Sequence, residues 1–241
     1  MATQPLSLSP LERAQTLTEK VMDAIVQAVM ERRIPFGSRL VEAELSRVLN
    51  VSRVPVREAL RLLESQGVVT NTPYKGMCLM SVDDKKLHEI LSVRALLEER
   101  AVRLAIGQLK AGDATTDGVR DALKQMRRAL EDGSAARMAA SDIGFHRALL
   151  QITGNETLSA MWEIMARQFQ MIVGIAWHSL DTERERNYRD HERLLALIEQ
   201  HDVDAIAQEI VPHIMEGVSV GLRDLAPPPN VAHLVPRNAS E

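Results

Sequence analysis

Apolar residues recur along most of this chain at the three- and four-residue spacing of an amphipathic helix, and one short stretch departs from it. Residues 10–33 read as a first helix, with Ser9 as N-cap, Pro10 in the first turn, and Val21, Ile25 and Val29 along one face. Pro35 and Gly37 end it. A short second helix is predicted over 41–49, with Leu45 and Leu49 inward and Asn50 as a left-handed stop. A third spans 53–66, capped by Ser52 and closed by Gly67. The pattern then switches to two β-branched runs, Val68–Thr70 and Met77–Val82. The turn between them holds Pro73 and Gly76, which predicts a β-hairpin. Three helices and a hairpin, in that order, make a winged helix.

From Asp83 onward the helical period returns. Helices are predicted over 84–109, 116–132, 135–153, 156–179, 182–200 and 203–224. Breaks fall at Gly112, Gly133, Gly154-Asn155 and the polar stretches near Asp181 and Asp202. Pro212 lies inside the last segment and predicts a kink. The expected fold is mostly α: an N-terminal winged helix-turn-helix over 10–82, an all-helical antiparallel bundle over 84–224, and a disordered tail over 225–241 that contains Pro227-Pro228-Pro229.

Composition fits this reading. The 241 residues are 45% hydrophobic but only 3% aromatic, so aliphatic side chains and Met must fill the core. The single cysteine, Cys78, excludes an intrachain disulfide and points to a reducing, cytoplasmic setting. The first ten residues have neither the basic start nor the apolar core of a signal peptide, and no apolar stretch is long enough for a bilayer. Residues 11–80 hold ten Lys/Arg against eight Asp/Glu, and residues 81–241 nineteen against twenty-five. A mildly basic front on an acidic body is compatible with DNA binding.

The third helix carries the sharper signal. Arg53, Arg57 and Arg61 are spaced four apart and share one face, while Val56, Leu60 and Leu63 share another. Such a helix can pack on its neighbours and present arginines to a DNA groove, where a guanidinium forks onto guanine or clamps phosphate. A solvated basic face on an ordinary helix has the same spacing. The run Gly37-Ser-Arg-Leu-Val-Glu-Ala-Glu-Leu, then Leu49-Asn-Val-Ser-Arg-Val-Pro-Val-Arg-Glu-Ala-Leu60, then Gly67-Val-Val and Lys75-Gly76, closely resembles the GntR family of bacterial transcription regulators. That resemblance covers about residues 15–82. It implies operator contacts from Ser52, Arg53 and Arg57 and a wing at Lys75 and Gly76. Where some relatives carry a basic residue on the second helix this chain has Ala43, and Arg39 and Arg47 can reach phosphates instead.

The helical region places polar groups on apolar faces. Arg94 lies within the stripe Leu87, Ile90, Leu91, Leu97 and Ala101, with Glu98 four residues on. Asp142 and His146 share the face of Phe145, Leu149 and Ile152, His191 that of Leu194, Leu195 and Ile198, and His213 that of Ile206 and Ile210. A lone inward histidine is more often a satisfied core residue. Together, one carboxylate and three imidazoles can ligate a divalent metal, whether zinc, nickel, cobalt, manganese or iron(II), and Arg94 can pair with an incoming carboxylate or with Glu98. Trp162, Trp177, Met161 and Met165 read as core, and His88, His178, His201 and His233 as surface or structural.

The stretches Leu91-Ser-Val-Arg94-Ala-Leu-Leu-Glu98, Asp142-Ile-Gly-Phe-His146, Gly154-Asn155 and His191-Glu-Arg-Leu-Leu-Ala-Leu-Ile to His213 resemble the FadR-type ligand domain, FCD. The metal-binding branch implies Asp142, His146, His191 and His213 as ligands and Arg94 beside a small organic acid effector. It also implies a homodimer on a palindromic double-stranded operator. The rival readings are a metal-dependent hydrolase and a regulator whose metal is purely structural. A hydrolase needs a general base beside the metal water, and no His-Glu-x-x-His or similar local motif supplies one.

Overall fold

In the computed structural model, residues 15–179 and 183–217 are described. The expectations for Ser9, Pro10, His233, the 225–241 tail and the last turns of the 203–224 helix lie outside them, as does the side chain of His178.

The first helix, α1 (Leu17–Met30), starts later than the spacing suggested. Thr16 is extended at φ −69° and accepts from the Glu19 amide, while the Glu19 carboxylate accepts from the Thr16 amide. This reciprocal capping box, legible as Thr-x-x-Glu, satisfies two orphan donors and fixes the start. At the other end Arg32 turns left-handed (φ 58°) and the chain leaves the helix before Arg33. Next come α2 (Glu42–Leu49), ended by left-handed Asn50 as expected, and α3 (Arg53–Ser65). Ser52 occupies the N-cap of α3, but its side chain makes no capping hydrogen bond.

The wing is an antiparallel hairpin of β1 (Val69–Thr72) and β2 (Gly76–Leu79), with Val69 opposite Leu79 and Thr72 opposite Gly76. Both strands sit closer to the turn than predicted. The reason is a tight turn in which the Lys75 amide donates to the Thr72 carbonyl, with Pro73 and left-handed Tyr74 (φ 64°) at its corners. Arg39 bridges to Cys78, which adds a third short pairing to the wing.

The helical body contains α4 (Asp84–Ala111), α5 (Asp117–Glu131), α6 (Ala135–Ile152), α7 (Glu156–Ser179), α8 (Arg184–Glu199) and α9 (Val203–Glu216). Its boundaries fall within two residues of expectation wherever they are described. Pro212 is indeed inside α9. The core is largely aliphatic, with Trp162, Trp177, Phe145 and Phe169 fully enclosed. Met161 is the exception to its predicted role: it is 54% exposed on α7.

The winged helix docks on α7. Met30 packs so closely against Gly174 that a Cβ there would lie 2.5 Å from the Met30 Sδ. Arg167 pairs with Asp23 at 2.6 Å, and Gln168 Nε2 donates to the Gln66 carbonyl at 2.6 Å. The next residue, Gly67, is left-handed at φ 68°, and a Cβ on it would meet the Gln168 amide at 2.5 Å. Gly67→Ala should therefore lower unfolding free energy by about 1–2 kcal/mol through backbone strain alone, with the clash adding to it. Urea denaturation followed by circular dichroism measures this, and an unchanged midpoint would contradict it.

Candidate functional site

Two polar assemblies stand out. The first covers α3 and the wing. Pro55, Val56, Ala59, Leu60 and Leu63 bury one face of α3, and this turns Ser52, Arg53, Arg57 and Arg61 to solvent. Arg39, Arg47 and Lys75 are exposed as well, and Gly76 begins β2 at φ 76°.

Arg57 is not free. Its Nε and Nη2 donate side-on to the Glu42 carboxylate at 3.1 and 3.0 Å. That bond is the main reason the Glu42 carboxyl is held below its ordinary range, with Arg53 and Arg61 assisting. A side-on grip leaves the end of the guanidinium fork pointing away from Glu42. Sequence reasoning missed this latch, because nothing local links residues on different helices. It also missed Tyr74, which stands fully exposed at the wing tip in the left-handed region. A non-glycine residue held there costs on the order of 1–3 kcal/mol and tends to mark a functional position.

The second assembly is buried where α4, α6, α7, α8 and α9 meet. Arg94 and Glu98 project from α4, Asp142 and His146 from α6, His191 from α8 and His213 from α9. His146 and His191 are fully enclosed, and Asp142 nearly so. The three imidazoles converge through one kind of atom: His146 Nε2 lies 3.3 Å from His191 Nε2 and 3.4 Å from His213 Nε2.

Their other nitrogens face elsewhere. His191 Nδ1 donates to the Asn187 carbonyl at 2.8 Å, and His146 Nδ1 faces Glu98 Oε2 at 2.5 Å. With the Nδ1 edge of each ring turned to these groups, the Nε2 atoms of His146 and His191 face one point. Two nitrogens bound about 2.0–2.1 Å from one ion at tetrahedral angles stand roughly 3.3–3.4 Å apart, which is the spacing seen.

Asp142 sits at the edge of the group, with Oδ2 3.5 Å from His191 Nε2 and Oδ1 4.0 Å from His146 Nε2. The compact ligand group consists of the three histidines, and Asp142 Oδ1 is buried without a hydrogen-bond partner among the described residues. Arg94 Nη2 lies 3.6 Å from that oxygen, while Arg94 Nε donates to Glu98 Oε1 at 2.8 Å. Glu98 Oε1 also accepts from Trp162 Nε1 at 2.8 Å, and Arg94 stacks over Phe169. The structure thus brings together every predicted ligand. It adds Glu98, expected only as an ion-pair partner of Arg94, and Trp162, expected as core.

Electrostatics favour a cation at this point. Burial raises the Glu98 carboxyl, yet Arg94 and His146 outweigh it and hold the group down to about 2. Burial lowers His191 to about 4, with Asp142 opposing, and lowers His213 as well, with His191 and His146 adding to the effect. At neutral pH His191 and His213 are therefore uncharged. The side chains of Glu98 and Asp142 both face the guanidinium of Arg94 beside the converging nitrogens.

Residues 17–78 match the family described as bacterial regulatory proteins, gntR family, and residues 89–216 match the FCD domain. The Nta operon transcriptional regulator of Aminobacter aminovorans is 31% identical over 180 residues, spanning 75% of this chain and 82% of the relative. This chain is a GntR-family regulator. Its family marks it as a DNA-binding transcriptional regulator with an FCD domain, not an enzyme. It is also 26% identical to the probable D-xylose utilization operon transcriptional repressor of Paenarthrobacter nicotinovorans, over 83% of this chain and 86% of that one. The fold resembles E. coli McbR/YncC, with a TM-score of 0.69 at 22% identity over 87% of this chain and 99% of that structure. No described helix of the regulator is long and apolar enough to cross a membrane.

Because His191 is lowered from 6.5 to about 4 in the fold, the unfolded chain binds its proton first as pH falls. Stability of chelator-treated protein should be full above pH 6.5 and decline steadily toward pH 4. Urea midpoints across that window test this, and His191→Gln should flatten the decline. Equal slopes in the two proteins would show that His191 does not carry it.

Proposed function

We propose that this GntR-family regulator grips an operator through α3 and the wing. The grip changes when a small carboxylate binds at a divalent metal ion in the helical body. The observation that carries this reading is the convergence of three histidine Nε2 atoms on one point beside Glu98 and Asp142. His146, His191 and His213 would supply nitrogen ligands and Asp142 an oxygen. Glu98 and the Asn187 carbonyl orient the two rings from behind, as partners behind metal-bound histidines do. The donor set suits zinc, nickel, cobalt, manganese or iron(II). When bound, the ion would offer a carboxylate an open position.

Arg94 is the effector's counter-charge in this reading, as its Nη2 lies beside Asp142 and the ligand nitrogens. The Arg94–Glu98 bond favours a second role for the same residue, as the charge that keeps Glu98 ionised. Both roles are compatible, because Nε serves Glu98 while Nη2 faces the site.

On the DNA side, Arg53 and Arg57 would read bases. Ser52, Arg39, Arg47 and Lys75 would contact phosphates, and Gly76 would shape the wing. Glu42 presents the end of the Arg57 fork, the edge a guanine needs. A homodimer on a palindromic operator is supported by Val93 and Leu96 on α4 and by Met161 and Ile164 on α7. All four are 42–68% exposed and sit on helices that pack together. Both relatives are named for operons, and we infer that this regulator likewise controls one.

Helix α7 supports the coupling between the two ends. Arg167 and Gln168 hold the winged helix while their neighbour Phe169 lies under Arg94.

Three measurements test these assignments. Replacing His146 or His191 with Ala should abolish stoichiometric metal by elemental analysis and remove metal-dependent thermal stabilisation. Wild-type protein that takes up no metal on titration would overturn the site. Arg53→Ala or Arg57→Ala should weaken operator binding by about 1–3 kcal/mol in mobility shifts, with the metal retained. Undiminished binding in both would refute base reading by α3. Finally, Leu96→Asp with Ile164→Asp should shift the protein from dimer to monomer in sedimentation, and a dimer unaffected by both would place the interface elsewhere.

A further inference from the structure

The buried face of α3 is made by Pro55, Val56, Ala59, Leu60 and Leu63. Val54 stands on the opposite side and is 63% exposed. Arg57 follows it by three residues and Arg61 by seven, close to two full turns, so the three share one stripe. An apolar side chain thus occupies the middle of the surface that the proposed reader turns to DNA, one turn ahead of Arg57.

Valine at this position does not serve the helix. A β-branched side chain loses rotamer freedom in a helix, and an exposed one recovers little of that loss by packing. The first turn of a helix favours an acid, which answers the amide dipoles there, yet the first turn of α3 has none. Ser52 leaves those amides without a side-chain cap. The first carboxylate along α3, that of Glu58, is drawn toward α1, where it accepts from Thr18 Oγ1 at 3.0 Å. An uncapped, acid-free helix start suits an approaching phosphate. Such an approach brings the first turn against the groove with a bare isopropyl group at its front.

Base edges in the major groove differ mainly in donors and acceptors, and thymine is the base that also presents an apolar group, its 5-methyl. A guanidinium gains little from that methyl, whereas an isopropyl group packs on it. Set against the amino group of cytosine or adenine, the same isopropyl group would leave a desolvated donor unpaired.

We infer that Val54 is a specificity-determining residue that reads the methyl group of a thymine in the operator. Three residues of helix rise are about 4.5 Å and a base step is about 3.4 Å, so this thymine lies within about two steps of the base that Arg57 meets. The inference rests on the base-reading role proposed above for α3 and adds which base one further residue selects.

The test uses the full-length protein and a duplex that it selects from a random DNA pool. Each thymine of that duplex is replaced in turn by deoxyuridine, which removes the methyl and keeps every hydrogen-bonding group. Uracil at one T·A position, and at its mate where the sequence is palindromic, should weaken wild-type binding about fourfold, the worth of one buried methyl group. At the same position 5-methylcytosine should bind better than cytosine by a similar factor. Val54→Ala should make thymine and uracil equivalent there, while Val54→Thr, which keeps one methyl, should retain part of the preference. Arg53→Ala should weaken binding to the thymine and uracil duplexes alike and leave their ratio unchanged.

Melting temperature verifies that each variant is folded. If no uracil substitution weakens wild-type binding, or if the sensitive position stays equally sensitive in Val54→Ala, the inference fails while base reading by the arginines stands. If, in addition, Arg53→Ala and Arg57→Ala bind the selected duplex as tightly as the wild type, both fall together.

Discussion

The carboxylate of Glu98 is the anchor for everything at the centre of the helical body. It is wholly buried, and an ionised group there would be untenable alone. Arg94 donates to one of its oxygens from the same helix, Trp162 donates to that oxygen from α7, and His146 faces the other from α6. One carboxylate thus ties three helices and orients one imidazole. Removing it would leave the buried Arg94 with only Asp142, 3.6 Å away, as counter-charge and release the His146 ring from its orientation. Loss of one partner from such a pair is more damaging than replacement of both.

That anchor also explains how a cluster of three histidines is held together. Imidazoles whose lone pairs face one another repel, and packing alone would rotate them apart. Here His146 is pinned by Glu98 and His191 by the Asn187 carbonyl, one turn earlier on its own helix. The rings are held by groups behind them, so the nitrogens in front are left available.

Much of this was legible in the chain. Asp142 and His146 are four apart on one helix, and the apolar faces around His191 and His213 point those rings inward. Periodicity is enough for such a reading. The partners behind the rings were harder. Glu98 sits one turn from Arg94 inside an apolar stripe, which signals burial of both, but nothing local shows that it turns toward another helix. Trp162 looked like filler because its single N–H is invisible to hydrophobic patterning. Arg57 and Glu42 meet across the two helices of the reader, a contact set by packing angle. The start of α1 was misplaced for a different reason: Pro10 and Ser9 form a plausible start signal, and the Thr16–Glu19 box that ends the matter was overlooked although it is written in the sequence.

The docking of the winged helix on α7 has a consequence for anyone building hybrid regulators. Asp83 invites a cut, since it caps α4 and separates the two halves of the chain. Yet Met30 nests on Gly174, Asp23 meets Arg167, and the backbone at Gln66 receives Gln168, so the join is a fitted surface as well as a covalent link. A biosensor made by grafting another reader onto this body at residue 83 would inherit the peptide bond and lose the fit. A productive chimera would have to transplant the α7-facing side chains with the reader, and keep a residue without a side chain at positions 67 and 174.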